Sequence, residues 1–449
     1  MLLLGLIDLV LLVCAAEASW VIRANQIDMH VDPMADRLPP LITFAFALQA
    51  AMIAVGVYGI ESLLSLRFAA ARLLVAISLG VIFLSVMSFL IPGATLWRSN
   101  SLYAMVLSFV ALLGIRAILG TALGSEGFKR RVLVLGAGPR ALRIRKLAQR
   151  PGASFIVVGH VAMGDCTPVV PTAIDRVHID SLPEHATLLN ASEVVLALEE
   201  RRNALPLDDL IRVRTTGVHV NEISSFLERE TGRVDLDSVN PSWLIFSDGF
   251  SSGRRLSSAA KRVFDIVTSL ALLALTAPLI VLTAIAVALE SRGGAFYRQN
   301  RVGRFGEPFR LVKLRSMRAD AESEGAVWAQ ADDPRVTRIG KWIRKLRIDE
   351  LPQIWNVLRG DMSFVGPRPE RPEFVADLET KLSYYAERHM VKPGITGWAQ
   401  INYPYGASLE DSRHKLEYDL YYAKNYTPFL DVLILLQTLR VVLWPEGAR

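Results

Sequence analysis

Four apolar stretches near the N-terminus constrain the fold of this chain more than any other feature. They cover residues 2–20, 41–60, 73–91 and 102–123. Each approaches the about 20 residues that a helix needs to cross about 30 Å of hydrocarbon. The stretches therefore predict a transmembrane unit of four helices over residues 1–125. A mean hydropathy of +0.31 agrees with a membrane protein and argues against a disordered chain.

Four charged residues lie within or beside these stretches, namely Asp8, Glu17, Arg72 and Arg116. A charge in hydrocarbon is costly unless it pairs inside a helix bundle or reaches the membrane interface. We therefore expect pairing or interfacial placement, and the alternative is a transport pathway. The first stretch is expected to remain an uncleaved helix, because no basic residue precedes it.

The distribution of basic residues predicts the orientation of the membrane unit. Seven lysines and arginines lie between residues 129 and 146, whereas the segment 23–40 carries two arginines and three aspartates. The positive-inside rule then places the chain after the fourth stretch in the cytosol.

Net charge and cysteine content restrict the partners and the chemistry. The formal charge of +6 suits an anionic partner, either phospholipid or a phosphorylated substrate. Nucleic acid is not expected, because no zinc-finger or aromatic RNA-binding signature occurs. The two cysteines, Cys14 and Cys166, are far apart, which excludes a disulfide framework and a cysteine-ligated zinc site.

A glycine-rich turn opens the middle segment of the chain. Residues 132–135 are β-like, Gly136-Ala137-Gly138-Pro139-Arg140-Ala141 follows, and a helix-like stretch comes next. Together with further β-like runs, this order predicts an α/β Rossmann-like domain over residues 129–235, in which a helix N-terminus can receive phosphate. Residues 236–258 are expected to form a linker.

The same turn departs from a dinucleotide-binding fingerprint in two ways. Ala141 replaces the third glycine, and His160 occupies the strand end where a ribose-binding carboxylate is expected. We therefore expect a structural or regulatory domain without cofactor-binding residues. Bound NAD is the alternative.

A second kind of membrane segment is predicted by the uncharged apolar run from Ile266 to Leu289. The run is about long enough to span a bilayer, and Pro278 near its centre removes a backbone donor. Basic residues on both flanks favour a cytosolic position for both ends. The sequence therefore predicts a re-entrant helix over residues 264–290 that breaks at Pro278 and returns. A Pro-kinked fifth span is the alternative.

The adjacent acids Asp349 and Glu350 are the candidate catalytic residues. Asp349 is expected to cap a helix whose first turn contains Pro352, and the helix end and the basic residues of segment 344–347 should keep it ionised. Such a carboxylate can ligate a hard divalent cation or attack phosphorus. Glu350 would be a second ligand or a proton-transfer partner. On spacing alone, a helix cap with a surface acid is the alternative.

Candidate phosphate-binding residues lie on both sides of this pair. Pro367 and Pro369 hold Arg368 rigidly, which suits bidentate phosphate contact. Upstream, Lys313 and Arg315 share one face of a predicted strand that follows Arg301. These cations would neutralise a diphosphate or, alternatively, contact lipid headgroups.

The segment from Lys261 to the C-terminus resembles the bacterial sugar transferases, which are monotopic phosphoglycosyl transferases or polyprenyl glycosylphosphotransferases. The upstream units match the long-chain members that initiate exopolysaccharide synthesis, and residues 243–250 are similar to the subgroup found with exosortase-type gene clusters. One departure is Ala277, which stands where many relatives have serine. The motifs that carry the resemblance are Lys261–Asp265, Arg301–Gly303, Lys313–Met317, Asp333–Gly340, Asp349–Gln353, Gly366–Pro369 and Lys392–Gln400.

The resemblance implies transfer of a sugar 1-phosphate from a UDP-sugar to undecaprenyl phosphate, with Mg²⁺ as cofactor and release of UMP. It implies that Asp349 is the nucleophile and carries the phosphosugar, that Glu350 assists at the metal or activates the acceptor, and that Arg368 binds phosphate. The C-terminal α/β catalytic domain, residues 259–449, would face the cytosol at the bacterial inner membrane. The family's usual donor is UDP-glucose, but the sequence does not fix the sugar.

Two other hypotheses remain open at the level of sequence. One is an NAD-dependent, membrane-tethered sugar-modifying enzyme that uses the glycine turn. The other is a non-catalytic platform for polysaccharide assembly whose basic strand contacts only lipid. A homo-oligomer is compatible with every one of these hypotheses.

Overall fold

The computed structural model of this chain contains two compact units, Met1–Phe226 and Leu227–Arg449. The structure describes residues 2–28, 33–58, 66–91, 93, 95–122, 129–150, 153–164, 166–200, 205–239, 255–290, 293–318, 321, 333–404, 406 and 408–443.

Four long helices open the first unit, as the apolar stretches predict. All four are rich in apolar residues, and α1, α3 and α4 are long and apolar enough to cross a membrane. Helix α2 carries Asp36, Arg37 and two prolines in its first two turns. The helices are α1 (Leu2–Gln26), α2 (Met34–Val55), α3 (Leu66–Leu90) and α4 (Arg98–Ala122).

The charged residues of these helices pair with one another or with backbone. Both terminal nitrogens of Arg116 donate to the two oxygens of Asp8 at 2.6 Å, and both side chains are buried. Arg37 pairs with Glu17, and Arg72 donates to a backbone carbonyl at the end of α2. These contacts confirm the prediction that the charged groups are paired within the helices. Pairing is needed there because an unpaired charge in hydrocarbon would cost several kcal/mol.

The middle segment folds into a parallel sheet of five strands in the order β3-β2-β1-β4-β5. The central strand β1 is apolar and almost fully buried, because helices cover both faces of such a sheet. The elements are β1 (Arg130–Leu135), α5 (Pro139–Ala148), β2 (Phe155–Ala162), β3 (Ala173–Asp175), α6 (Leu182–Leu188), β4 (Glu193–Leu196), α7 (Leu207–Thr215), β5 (His219–Glu222) and α8 (Ile223–Thr231).

The second unit begins with one long helix, α9 (Arg255–Glu290). Most of the predicted linker, and the segment 243–250, lie outside the described residues, while residues 255–258 belong to α9. The predicted break at Pro278 is wrong in one respect, because the helix continues through it without interruption. A proline removes one backbone hydrogen bond and can bend a helix without ending it. The Thr276 hydroxyl donates to the Leu272 carbonyl in the turn before it.

Both ends of α9 contact the rest of this unit, whereas most apolar side chains of its middle are exposed, with Ile280 as a buried exception. Asp265 accepts hydrogen bonds from Ser363 and from the Phe364 backbone, and Val287 packs with Leu314. Between these ends, exposed leucines project outward, among them Leu275, which is 77% exposed.

Short strands and helices complete the second unit. Strands β6 and β7 form an antiparallel hairpin, and β8 pairs with β9 in parallel. The remaining elements are β6 (Phe296–Val302), β7 (Pro308–Leu314), α10 (Arg338–Lys345), α11 (Gln353–Arg359), β8 (Ser363–Val365), α12 (Pro372–Lys381), β9 (Gly394–Thr396), α13 (Trp398–Asn402), α14 (Leu409–Asn425) and α15 (Pro428–Leu443).

Candidate active site

Asp349 lies in a one-turn 3₁₀ helix, Ile348–Glu350, between α10 and α11. Arg347 precedes it in the left-handed region with φ of 58°, which turns the chain sharply after α10. The prediction that Asp349 caps the next helix is wrong, because Pro352 is the N-cap of α11 and no side chain caps it. The extra 3₁₀ turn moves the carboxylate away from the helix end.

The Asp349 side chain is buried and incompletely bonded. The residue is 9% exposed, and its Oδ1 atom has no hydrogen-bond partner among the described residues. Burial, and then the charge of Glu350, raise the pKa of Asp349, although Lys313 and Arg347 act in the opposite direction. This direction differs from the prediction that neighbouring cations dominate. A carboxylate of raised pKa is a stronger base and ligand than an exposed aspartate.

Glu350 has the opposite electrostatic environment. Burial would raise its pKa, but Arg368, Lys313 and Arg347 outweigh burial and lower the pKa to about 2. The Glu350 Oε1 atom lies 3.3 Å from Lys313 Nζ, 3.5 Å from Arg368 Nη2 and 3.7 Å from Arg347 Nη1. Two adjacent carboxylates with pKa values shifted in opposite directions are typical of sites that divide acid, base and nucleophile roles.

Lys313 reaches Glu350 because Asn356 joins strand β7 to helix α11. The Asn356 Oδ1 atom accepts from the Val312 backbone at 3.0 Å, and its Nδ2 atom donates to the Arg310 carbonyl at 2.8 Å. Burial lowers the pKa of Lys313, and the nearby Glu350 acts against that shift. The amide therefore sets the register of the strand that carries the lysine.

Main-chain hydrogen bonds hold the turn that carries Arg368. Strand β8 leads into Gly366, whose N–H donates to the Thr396 carbonyl at 2.9 Å, and the Pro367 carbonyl accepts from Gly394 at 2.9 Å. A Cβ atom on Gly366 would lie 2.2 Å from the Lys392 carbonyl, so only glycine allows this approach. The rigid turn predicted around Arg368 therefore has a structural basis.

A buried arginine that the sequence analysis missed supports the same turn. Arg388 Nη2 donates to the Arg368 carbonyl at 3.0 Å and to Asp419 Oδ2 at 2.7 Å, and Nη1 donates to the Tyr385 hydroxyl. One signal was present, because Asp419 lies between the buried residues Leu416 and Leu420 on one helix. A charged residue at such a position needs a buried partner.

The other predicted cations divide between this site and a different location. Arg301 donates to the Pro369 carbonyl at 3.0 Å, so the structure brings it to the Arg368 turn. Arg315 follows the end of β7 and donates to the Gly293 carbonyl, after the end of α9. The ion pairs of Glu350 are with Lys313, Arg347 and Arg368, and the grouping of Arg315 with Lys313 at one phosphate site stays a prediction.

The donor set at Asp349 fits a hard divalent cation held in part by substrate. No group of three metal-ligating side chains occurs among the described residues. Asp349 Oδ1 is nevertheless unpartnered next to the ionised Glu350. Mg²⁺ commonly binds one or two carboxylates and takes its other ligands from substrate phosphates and water.

The N-terminal part of α9 is tied to the strand that leads into Arg368. Lys261 Nζ donates to the Val365 carbonyl at 3.1 Å and pairs with Asp431 at 2.6 Å. Arg262 donates to two carbonyls at the C-terminus of α11. The apolar helix and the candidate active site therefore share a common framework.

The glycine turn of the first unit differs, because a carboxylate of the chain occupies its anion position. Gly138 is the N-cap of α5, and the Arg140 backbone N–H donates to Glu199 Oε1 at 2.8 Å. The Arg140 side chain also pairs with Glu199. A dinucleotide phosphate would need the place that this carboxylate takes. This contact weighs against NAD bound at the turn.

Comparison with known proteins agrees with the geometry of the second unit. Residues 256–445 match the family model for bacterial sugar transferases. The chain is 44% identical over 189 residues to an uncharacterized sugar transferase of Bacillus subtilis, of which the match covers 90%. The chain belongs to the bacterial sugar transferase family. The family membership that its motifs predict is therefore confirmed.

Two further relatives of this sugar transferase carry names that state a reaction. One is the UDP-glucose:undecaprenyl-phosphate glucose-1-phosphate transferase of Caulobacter vibrioides, 41% identical over 190 residues, which cover 42% of this chain and 71% of the relative. The other is the UDP-N-acetylgalactosamine-undecaprenyl-phosphate N-acetylgalactosaminephosphotransferase of Aeromonas hydrophila, 46% identical over 231 residues. That match spans about half of each chain, 51% of this one and 53% of the relative.

Proposed function

We propose that this sugar transferase moves a sugar 1-phosphate from a UDP-sugar to undecaprenyl phosphate and releases UMP, as the first membrane step of exopolysaccharide synthesis. The observation that carries the proposal is the buried Asp349 carboxylate, which has an unpartnered oxygen beside a glutamate surrounded by three cations. The names of the relatives support the same class of reaction.

In the proposed first step, an Asp349 oxygen attacks the β-phosphorus of the donor. A bond forms between that oxygen and phosphorus, and the bond from phosphorus to the bridging oxygen breaks, so that UMP leaves with the bridging oxygen. In the second step, an oxygen of undecaprenyl phosphate attacks the same phosphorus and frees Asp349. The raised pKa of Asp349 favours this role, because nucleophilicity follows basicity.

The cations around Glu350 would stabilise the charge that develops during transfer. Lys313 and Arg368 contact the glutamate from one strand and one turn, and both are fixed by backbone contacts of their elements. Fixed positive groups in a site with little water lower the barrier to phosphoryl transfer most effectively. Mg²⁺, held by Asp349, Glu350 and the donor phosphates, would supply further charge neutralisation.

The contacts of α9 support a re-entrant path through the cytosolic leaflet of the inner membrane. A straight helix of 36 residues would be about 54 Å long, more than the about 30 Å of hydrocarbon. Both ends of α9 nevertheless contact the rest of the second unit (Leu227–Arg449), here called the catalytic unit, while the leucines between them are exposed. A bend at Pro278 would satisfy both observations and keep the catalytic unit on the cytosolic face.

The test uses the purified full-length protein with Mg²⁺ and undecaprenyl phosphate. A panel of UDP-glucose, UDP-galactose and UDP-N-acetylgalactosamine is scored by UMP release, and intact mass in the absence of acceptor detects a covalent phosphosugar. Asp349→Asn is compared with the exposed control Asp377→Asn. We expect one donor to be preferred, and both signals to disappear only in Asp349→Asn.

Several outcomes would contradict the proposal. UMP release that is unchanged in Asp349→Asn would exclude this nucleophile. Redox turnover with NAD would favour the sugar-modifying enzyme instead. Full polymer production in cells after substitution of both Asp349 and Arg368 would favour the non-catalytic platform.

A further inference from the structure

A small cavity of about 70 Å³ lies at the start of α9, outside the contacts of the candidate active site. Four basic residues line it, namely Lys261, Arg262, Arg304 and Lys392, together with one acid, Asp265. No step of the proposed transfer uses these basic side chains.

Three of these cations lack a carboxylate partner among the described residues. Arg262 is bonded to two backbone carbonyls, and the Arg304 Nε atom donates to another. Lys392 Nζ has neither a hydrogen bond nor an ion pair within the described part of the chain. Carbonyls satisfy hydrogen-bond donors but do not neutralise charge, so the cavity keeps a net positive potential.

The acids near the cavity do not balance its cations. Lys261 pairs with Asp431, while Asp265 accepts only from the Ser363 hydroxyl and the Phe364 backbone, so its charge offsets one of the other three cations. The Lys392 and Arg262 nitrogens lie 3.5 Å and 3.4 Å from one point, the Cβ position built on Gly360. Two cations this close repel each other, and burial together with Arg262 lowers the pKa of Lys392. A bound anion would relieve that repulsion.

The surroundings of the cavity indicate a membrane surface. Asp265 is the last charged residue before the apolar run of α9, so Arg262 lies about one helical turn, roughly 5 Å, outside it. Lipid headgroups occupy a layer of about that thickness on each side of the hydrocarbon. Two exposed apolar side chains adjoin its lining residues: Val263, which follows Arg262, is 61% exposed, and Phe305, which lies beneath the Arg304 guanidinium, is 69% exposed.

We propose that this cavity binds the phosphate of an anionic phospholipid, with Lys392, Arg262 and Arg304 as the cations that contact it. The combination of unneutralised charge and adjoining apolar side chains fits a lipid better than a free anion, because only a lipid satisfies both. The inference rests on the membrane position proposed for α9 and does not depend on the transfer chemistry. The bound lipid would fix the depth at which α9 enters the bilayer.

The test measures lipid binding by native mass spectrometry of the full-length protein in mild detergent. Dioleoylphosphatidylglycerol is titrated against dioleoylphosphatidylcholine as the zwitterionic control. Lys392→Gln is compared with Lys381→Gln, which removes an exposed lysine elsewhere in the same unit. We expect the parent to prefer phosphatidylglycerol, Lys392→Gln to weaken its binding about fivefold, and Lys381→Gln to bind as the parent does. Arg304→Gln provides a second variant if Lys392→Gln does not fold.

Further binding measurements distinguish a phospholipid site from a free-anion site and from an acceptor site. Equal binding of phosphatidylglycerol by Lys392→Gln, Arg304→Gln and parent would overturn the assignment. Displacement of the lipid by millimolar inorganic phosphate would also overturn it, because that result would indicate a free-anion site. Displacement by one equivalent of undecaprenyl phosphate would instead assign the cavity to the acceptor. Asp349→Asn should bind phosphatidylglycerol as the parent does. Loss of UMP release with retained lipid binding therefore tests the nucleophile alone.

Discussion

Two regions of this chain have the features of a phosphate site, and they differ in what occupies the place of the anion. At the glycine turn, the Glu199 carboxylate accepts from the backbone at the start of α5. At the second region, Asp349 keeps an oxygen without a hydrogen-bond partner in the described structure, and three cations converge on Glu350. At the first region a carboxylate of the chain occupies the helix N-terminus, whereas at the second one carboxylate oxygen, Asp349 Oδ1, has no partner among the described residues.

The difference shows what a glycine motif can and cannot establish. Glycines at residues 136 and 138 predict a backbone shape, and the structure has that shape at a helix N-terminus. They do not predict which side chain from another part of the fold approaches the turn. Function at the two regions is therefore decided by long-range partners.

The largest expected effect compares the two glutamates directly. Glu350→Gln should reduce UMP release by about 10²–10⁴, because the cations lose the charge that orients them and the proposed Mg²⁺ would lose a ligand. Glu199→Gln should leave UMP release close to that of the parent. Steady-state rates with the preferred donor measure both variants. Comparable losses of UMP release in Glu350→Gln and Glu199→Gln would contradict the proposed difference between the two regions.

Arg388→Met tests the buried support of the Arg368 turn. The substitution leaves Asp419 buried without its partner, which should cost about 3–5 kcal/mol of unfolding free energy. Denaturant unfolding in detergent measures the loss, with the exposed Arg359→Met as control. The double variant with Asp419→Leu should recover part of the stability. If the double variant recovers no stability, the loss of unfolding free energy does not come from the unpaired Asp419 carboxylate.

His389 makes the stability of the catalytic unit sensitive to acid. Burial, and then Arg388, lower the pKa of His389 from 6.5 to about 3. Between these values the unfolded chain binds a proton that the folded chain excludes, so stability falls as the pH drops below 6.5. The expected loss is about 2 kcal/mol between pH 8 and pH 5. His389→Gln should flatten this dependence, whereas substitution of the exposed His219 in the first unit should not.

The smallest expected effect concerns the glycine turn. Glu199→Ala should free the N–H groups at the start of α5 and give weak, millimolar binding of phosphate or NAD by calorimetry. The parent and the exposed control Glu184→Ala should show no such binding. Tight NAD binding by the parent would refute the view that Glu199 blocks this turn.

Local patterns predicted much of this structure because their causes are local. Hydropathy predicts the four N-terminal helices, and alternating apolar runs with a glycine turn predict the parallel sheet. The motifs identify Asp349, Lys313 and Arg368, and the structure brings Lys313 and Arg368 to Glu350, next to Asp349.

The features that the sequence did not reveal depend on distant contacts. The 3₁₀ turn that displaces Asp349 from the helix cap requires a left-handed conformation at Arg347. The sequence gives no signal for it, because glycine and asparagine are the residues that usually adopt this conformation. Arg388 and Asp419 are 31 residues apart, so no short pattern links them. Arg315 shares the strand period of Lys313, but the strand ends between them.

Three glycines meet where the two short strands of the catalytic unit pair, and no room is left there for a side chain. Cβ atoms on Gly366, Gly394 and Gly397 would each lie within 2.2 Å of a backbone atom. Laboratory evolution toward a different nucleotide sugar therefore cannot draw useful diversity from these three positions. The turn that carries Arg368 therefore limits the positions at which such diversity can be introduced.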